Sequence, residues 1–467
     1  MPRIDARVQE SLRARIEEIS SKIDLQKELL RKLERDKSVA QRQLNSVVDP
    51  MARLPLEISS EIFLQYLDLF STAEERGARQ LLLNICNTWT TIALSSPGLW
   101  STIAIQFPGH PRGLPIVLPT WFERAANRPV SLFLYGDLSI LNHPVSTIIW
   151  EHCGQLKDLE IVTDSSYHID KADPIIINLF DDIDLSDDED DEDMIPGLMP
   201  LLRTLKISSL IHERRFQIYE ILHLLRRAPN LAECTFHHRY RFGNPGIAPG
   251  TLVLPSLRRL RFGATTLDIS VNTRILDFLA LPALQSLILP LQAECSQSLV
   301  SFLERSMPPL QELVLGMREN HLAYHFMREY LLLIPTLSRF DLWWPSQQSF
   351  LADFFAALVD SDSDPGSPSL LPNLRSLTIR TDFGRSPWLN FPRSSRFDIA
   401  ESSWRTLLRA VSARRTKLHA LRVFANPPPA DVLAAFKELA EDGTVRVCIG
   451  VDESEFCAFG ESRSQAM

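Results

Sequence analysis

The side chains that could act as nucleophiles or metal ligands are scattered along this sequence. No Cys-x-x-Cys pair occurs among the six cysteines, and the adjacent pair His237-His238 has no obvious metal-ligand neighbours. The glycine-rich, serine-elbow and His-Glu-x-x-His signatures of nucleotide-binding and hydrolytic enzymes are missing as well. We therefore expect a protein that is not an enzyme, needs no metal or cofactor, and keeps its cysteines as reduced thiols.

Length and charge narrow the possible partners. A chain of 467 residues exceeds one ordinary core, so two or three folded units are expected. The net charge is −9, but ten acids lie in residues 181–193, and without them 49 basic residues face 48 acidic ones. This balance does not suggest a nucleic-acid partner. An N-terminus without an apolar segment and the lack of any run of eighteen apolar residues predict no membrane partner and a cytoplasmic or nuclear location.

Residue types suited to binding another protein are concentrated instead in the segment ARLPLEISSEIFLQYL, residues 52–67. Leu54-Pro55 is typical of a helix entry, and Glu57 falls in the first turn, where the helix dipole favours an acid. Ile58, Ile62 and either Tyr66 or Leu67 would form one apolar face. A second helix, GARQLLLNICNTWTTIAL, would end at SSPGLW and present an apolar face made of Leu82, Ile85, Trp89, Ile92 and Ala93.

This combination closely resembles the F-box, and the SSPGLWSTI segment resembles a group of fungal F-box-like proteins. The matching residues are Leu54, Pro55, Glu57, Ile58, Ile62, Leu67, Ile85, Cys86, Trp89, Ile92, Ala93, Leu99 and Trp100. The intervening segment DLFSTAEERGARQ departs from the family in length and sequence. The resemblance implies helices that dock on the Skp adaptor of a cullin-RING ubiquitin ligase. It implies adaptor contacts at Leu54, Pro55, Glu57, Ile58, Ile62 and Leu67, and a core formed by Ile85, Cys86, Trp89, Ile92, Leu99 and Trp100.

A heptad pattern precedes this segment and predicts one long helix over residues 8–47. Apolar residues occupy the a and d positions in steps of three and four, at Leu12, Ile16, Ile19, Ile23, Leu30, Leu33, Ala40, Leu44 and Val47. Gln26 and Lys37 fill the two gaps. A parallel homodimer would bring Lys22 against Lys27 of its mate, so a homodimer, a different coiled-coil partner and packing on the same chain all remain open.

Downstream, the pattern Pro-x-Leu-x-x-Leu-x-Leu recurs. The first leucine of each copy is Leu156, Leu202, Leu231, Leu257, Leu284, Leu310, Leu337, Leu374 or Leu418, and the gaps from Leu202 to Leu337 are 29, 26, 27, 26 and 27 residues. This period is typical of leucine-rich repeats, and apolar residues at +3 and +5 predict a strand with one buried side. Helical patterns lie between the copies, so each unit reads as helix, proline, strand.

These units predict an α/β fold with an N-terminal long helix, a small all-α F-box-like segment and a leucine-rich-repeat-like solenoid. The expected boundaries are residues 1–49, 50–100 and 101–467, with inserted loops at about 170–198, 360–370 and 381–400. A helix at ADVLAAFKELAED and a strand at TVRVCIG would close the last repeat.

The strand residues at +2, +4 and +6 would face the open side of the repeat array. There the sequence predicts a substrate-binding face at Lys206, Arg259, Arg261, Arg339, Asp341, Trp343, Arg380 and Arg422, because arginines and aromatics often anchor protein interfaces. The expected function is a substrate-recognition adaptor, with an acidic protein segment as the substrate. The alternative is a leucine-rich-repeat scaffold unrelated to ubiquitin transfer, in which the F-box-like segment is only an N-terminal cap.

Overall fold

The structure is a computed structural model, and its description covers a defined part of the chain. The described residues are 6–67, 75–107, 113–136, 143–163, 197–209, 216–237, 240–241, 250–263, 273–291, 296–317, 324–343, 348–360, 369–381, 398–450 and 457–459. They divide into two compact units. The first runs to Ala104 and includes Thr120–Arg128, and the second contains Ile105–Pro119 and the chain from Pro129 onward.

The first unit is built from helices. They are α1 (Ala6–Val48), α2 (Leu56–Leu67), α3 (Glu75–Ile85) and α4 (Asn87–Leu94), with 3-10 turns at Met51–Arg53 and Pro97–Trp100. The single helix expected over GARQLLLNICNTWTTIAL was wrong, because two helices form there. Cys86 separates them with an extended backbone, φ −156° and ψ 171°.

The second unit contains most of a large sheet of thirteen strands, which neighbour one another in chain order. Its strands are β1 (Thr102–Phe107), β2 (Val130–Gly136), β3 (Leu156–Thr163), β4 (Thr204–Ser209), β5 (Glu233–His237), β6 (Arg259–Phe262), β7 (Ser286–Leu291), β8 (Glu312–Met317), β9 (Arg339–Trp343), β10 (Ser376–Arg380), β11 (Ala420–Phe424), β12 (Arg446–Gly450) and β13 (Cys457–Phe459). Two further two-stranded ladders pair Phe216–Gln217 with Tyr240–Arg241 and Leu252–Val253 with Leu279–Ala280.

Neighbouring strands from β2 to β12 are parallel, and only β12 and β13 are antiparallel among the pairings described. Parallel neighbours need a crossover between them, and the crossovers here are mostly helices. These are α5 (Leu114–Ala125), α6 (His143–Glu151), α7 (Ile218–Arg226), α8 (Ser296–Ser306), α9 (Tyr324–Leu332), α10 (Gln348–Asp360), α11 (Glu401–Ala413) and α12 (Ala430–Glu441). The predicted mixed α/β class, with a long N-terminal helix, is confirmed.

The helical pattern between the copies at Leu257 and Leu284 does not form an α-helix. The pattern NTRILDFLAL forms a 3-10 turn at Thr273–Phe278 followed by the two-residue strand Leu279–Ala280. The segment is shorter than the helices of the other crossovers, and its last residues pair with Leu252–Val253 instead of continuing the turn. A backbone that gains a strand partner can leave the helical conformation without losing its hydrogen bonds.

The sheet is held by the repeated apolar positions. In all nine copies the first leucine and the residues at +3 and +5 are buried, as at Leu310, Leu313 and Leu315. Their side chains alternate with outward residues because successive residues of a strand point to opposite faces. Most of each expected insertion, including the acidic run 181–193, lies outside the described residues.

Candidate docking surface

Helix α2 begins where the Leu-Pro step predicts. The carbonyl of Pro55 accepts a hydrogen bond from the amide of Ser59 at 3.1 Å, and Glu57 lies in the first turn. Ser59, Phe63 and Leu67 are buried, and their spacing of four residues places them on one side of the helix. Leu67 was predicted as an adaptor contact, but it belongs to this buried side and is not accessible in the free chain.

The adjoining surface of α2 remains uncovered. Leu54 is 41% exposed, Leu56 46%, Ile58 51% and Ile62 42%, and Pro55 and Glu57 are also exposed. We call Leu54, Ile58 and Ile62 the α2 face. Leu56 lies three residues before Ser59 and seven before Phe63, on the same side of the helix as these buried residues. Single exposed apolar residues are ordinary, whereas Ile58 and Ile62 lie four residues apart on one side of α2, close in sequence to the exposed Leu54 at its entry, and form an apolar surface suited to a partner.

The buried side of α2 is fixed against α4 and the turn after it. The rings of Phe63 and Trp89 lie 4.9 Å apart, and the hydroxyls of Ser60 and Ser96 are 2.6 Å apart. Gly98 also lies close to α2, because a Cβ at that position would stand 3.2 Å from Leu64. These contacts use one side of α2, whereas Leu54, Ile58 and Ile62 are exposed.

Asp49 joins α1 to the helices that follow. Its carboxylate accepts hydrogen bonds from the amide of Met51 and the indole Nε1 of Trp89, both at 2.9 Å, and from the thiol of Cys86 at 3.5 Å. The thiol of Cys86 in turn accepts from the amide of Trp89, which caps α4. No pattern in the sequence indicates this role of Asp49, because two of its partners, Cys86 and Trp89, are 37 and 40 residues away.

The predicted F-box core residues lie in this first unit. Cys86, Ile92, Leu99 and Trp100 are buried, whereas Ile85 and Trp89 are half-buried. The indole of Trp100 donates to the carbonyl of Ala93 at 2.9 Å. Its ring lies edge-on to the ring of Trp121, 5.7 Å away, and the guanidinium of Arg124 lies 4.6 Å from it.

The open face of the sheet is not the basic surface that was expected. Lys206 lies 2.6 Å from Glu160, Arg259 2.7 Å from Glu233, and Arg339 3.2 Å from Glu312. In each pair the two residues are direct partners in the register of adjacent strands. The three acids occupy the same +2 and +4 positions as the cations. Aligning all nine copies by position would have revealed them.

Asp341 on β9 and Arg380 on β10, also on this face, already have partners within the chain. Asp341 is buried and accepts two hydrogen bonds from Arg339, which raise the pKa of that guanidinium and keep Asp341 from a partner. Arg380 lies between two rings, 4.9 Å from Trp343 and 4.0 Å from Phe424. Arg261 and Arg422 are exposed on this face.

His237, the last residue of β5, has a pKa far below that of an ordinary imidazole. Burial, followed by the charges of Lys206 and Arg261, lowers the pKa of its imidazole to about 4. The ring therefore stays neutral at neutral pH. A neutral imidazole could ligate a metal ion, but no group of three or more His, Cys, Asp or Glu side chains arranged for a metal occurs among the described residues.

The remaining chemistry of the described chain is sparse. Cys86, Cys153, Cys234 and Cys448 are free thiols, and burial raises the pKa of Cys153 and Cys234. No helix of the described residues is both long and apolar enough to span a bilayer. In comparisons with known proteins, the sequence matches no protein-family model and no curated protein.

Proposed function

We propose that this chain is an F-box-like adaptor that docks on the Skp adaptor of a cullin-RING ubiquitin ligase and presents a protein substrate. The observation that carries the proposal is the exposure of Leu54, Ile58 and Ile62, while Ser59, Phe63 and Leu67 of the same helix are buried. Apolar anchors on a helix that fit a groove of another protein are a common docking mode. The three residues of the α2 face are among those that resemble the family's adaptor contacts.

Under this proposal, the residues that resemble those of the F-box have two roles. Leu54, Ile58 and Ile62 would insert into the partner, while Cys86, Ile92, Leu99 and Trp100 hold the helices in place. Phe63 and Asp49 join the second group, because they fix α2 and the end of α1 against Trp89. Leu67 resembles an adaptor contact of the family, but we assign it to the second group because it is buried.

We further propose that the sheet and its helices stack as a leucine-rich-repeat-like solenoid. Support comes from backbone hydrogen bonds that recur at one position of successive copies. The amide of Arg258 donates to the carbonyl of Ala232, that of Gln285 to Arg258, and that of Gln311 to Gln285, each at 2.8 Å. An identical bond at each step is what a stack of equivalent units requires.

The substrate would bind across the open face of the sheet, which carries both basic and acidic side chains. Because Lys206, Arg259 and Arg339 already have acidic neighbours, a purely acidic segment would have to compete with Glu160, Glu233 and Glu312. The exposed Arg422 remains a candidate anchor on this face. A substrate that offers both acidic and apolar side chains fits this surface better than a polyanion.

The adaptor role is tested by capture of purified Skp adaptor on the immobilised full chain. Ile58→Asp and Leu54→Asp should each lower the captured amount at least tenfold, because a charge would enter an apolar contact. The matched control is Gln80→Asp, which places the same side chain at an exposed polar position of α3. Circular dichroism of each variant checks that the helices remain folded.

Capture by the original chain that survives both substitutions would reject the α2 face as the docking site. No capture by any form of the chain would favour the alternative, a repeat scaffold in which the F-box-like helices only cap the array.

A further inference from the structure

Helix α1 presents a second uncovered apolar surface, which the proposed function does not use. Its apolar a and d residues are between 44% and 81% exposed: Leu12, Ile16, Ile19, Ile23, Leu30, Leu33, Leu44 and Val47. At about 1.5 Å per residue, the 43 residues of α1 extend roughly 65 Å. An apolar seam of this length is stable in water when another helix covers it.

The chain anchors α1 by the opposite side. Arg42 Nη2 donates to Asn84 Oδ1 at 2.7 Å, and Asn45 Nδ2 donates to the carbonyl of Ile85 at 2.8 Å. These residues occupy the f and b positions of the heptad, which point away from a and d. Leu44, beside them in sequence, is 60% exposed. The end of α1 is therefore held by α3 while its seam stays open.

We propose that α1 pairs with α1 of a second copy of this chain as an antiparallel coiled coil. The inference does not depend on the proposed adaptor role. Full overlap sets the register in which Leu44 packs against Leu12 of the other copy and Ile23 against Leu33. In the same register Lys37 lies opposite Ile19 and Gln26 opposite Leu30, so every polar residue of the seam meets an apolar one.

Charge complementarity selects this orientation over the parallel one. A parallel pair would place Lys37 against Lys37 and would twice bring Lys22 against Lys27, with no opposite charges facing across the seam. In the antiparallel pair, g positions face g positions, so Lys22 meets Asp36 twice and Leu29 meets Leu29. The one like-charged contact is Lys27 with Lys27. Each Lys27 lies 3.4 Å from Asp24 of its own helix, as each Lys22 lies 2.5 Å from Glu18, so Lys22 would share its charge between Glu18 and Asp36 of the other copy.

The two copies of α1 would also bury enough surface for a specific interface. Residues 12–47 span roughly 50 Å, and a strip about 10 Å wide on each helix would remove on the order of 1,000 Å² from water in total. Because side chains interdigitate, the accessible area lost exceeds this projected strip. Specific protein interfaces begin at about this size.

Light scattering coupled to size exclusion tests the proposal on the full chain. We expect a mass of twice the chain mass of 53.1 kDa. Lys22→Glu should raise the dimer dissociation constant about tenfold, because two attractive contacts become repulsive. Asp36→Lys should do the same, and the double variant K22E/D36K should restore the original value. Ser21→Glu, at an f position away from the seam, is the matched control and should leave the constant unchanged.

Each other outcome would overturn the proposal. A monomer at all concentrations would do so, as would a dimer that survives Ile23→Asp with α1 still helical by circular dichroism. A dimer strengthened by Lys22→Glu would be parallel, because the introduced carboxylate would then attract Lys27 of the other copy. Adaptor capture by the Lys22→Glu variant should be unchanged, which separates this proposal from the proposed function.

Discussion

The two units of this chain treat apolar surface in opposite ways. The N-terminal unit leaves leucines and isoleucines exposed along α1 and at the α2 face, while packing and hydrogen bonds hold Phe63, Trp89 and the end of α1. The sheet of the second unit buries the corresponding apolar residues in all nine copies and pairs charges on its open face. The first unit thus exposes apolar helix surface that other helices can cover, whereas the second unit buries its repeated apolar positions within the sheet and its helices.

The largest expected change in the free energy of unfolding distinguishes a buried leucine of the sheet from an exposed leucine of the α2 face. Leu315 is fully buried in β8, so Leu315→Ala should lower the free energy of unfolding by about 2–5 kcal/mol through lost burial and a cavity. Leu54→Ala, at the exposed α2 face, should change it by less than about 1 kcal/mol. Urea denaturation of both variants measures this. Similar losses at the two positions would mean that the α2 face is covered, and would remove the contrast.

Within the first unit, Asp49 should matter more than any residue of the exposed surfaces. Asp49→Ala leaves the Met51 amide and the Trp89 indole without their acceptor, which should cost about 2 kcal/mol. Asp49→Asn keeps an acceptor oxygen and should cost less. Trp89 fluorescence during urea denaturation follows the loss. If Asp49→Ala unfolds like the original chain, the link between α1 and α4 contributes little to stability.

The sequence allowed the repeated strands to be predicted, because burial at a fixed position in nine copies leaves a pattern such as Leu310, Leu313 and Leu315. It did not predict the break at Cys86, because the helical pattern continues through it and only the Asp49 and Trp89 contacts favour an extended residue. The exposure of Ile58 beside the burial of Phe63 also depends on tertiary packing, since both are apolar and five residues apart.

Acid should weaken the sheet through His237. Its folded pKa of about 4 lies below the ordinary value of 6.5, so below pH 6.5 the unfolded chain binds a proton that the folded chain refuses. Stability from the neutral ring is therefore complete above pH 6.5 and falls between 6.5 and 4, by about 1–2 kcal/mol after allowance for partial exposure. Urea midpoints at pH 7 and 5 measure the loss, which His237→Gln should reduce. An unchanged pH dependence in that variant would assign the effect to other groups.

The smallest effects should lie on the charged face, and they should differ between two arginines. Arg259 is exposed and Glu233 only half-buried, so Arg259→Ala should cost at most about 0.5 kcal/mol. Arg339 also holds the buried Asp341, and Arg339→Ala would leave that carboxylate without a cation, at about 1–2 kcal/mol. Removing both members, as R339A/D341A, should recover part of the loss because the buried charge disappears with its partner. Urea denaturation of the three variants decides this. Equal, small losses for the two arginines would show that Asp341 gains enough water without Arg339.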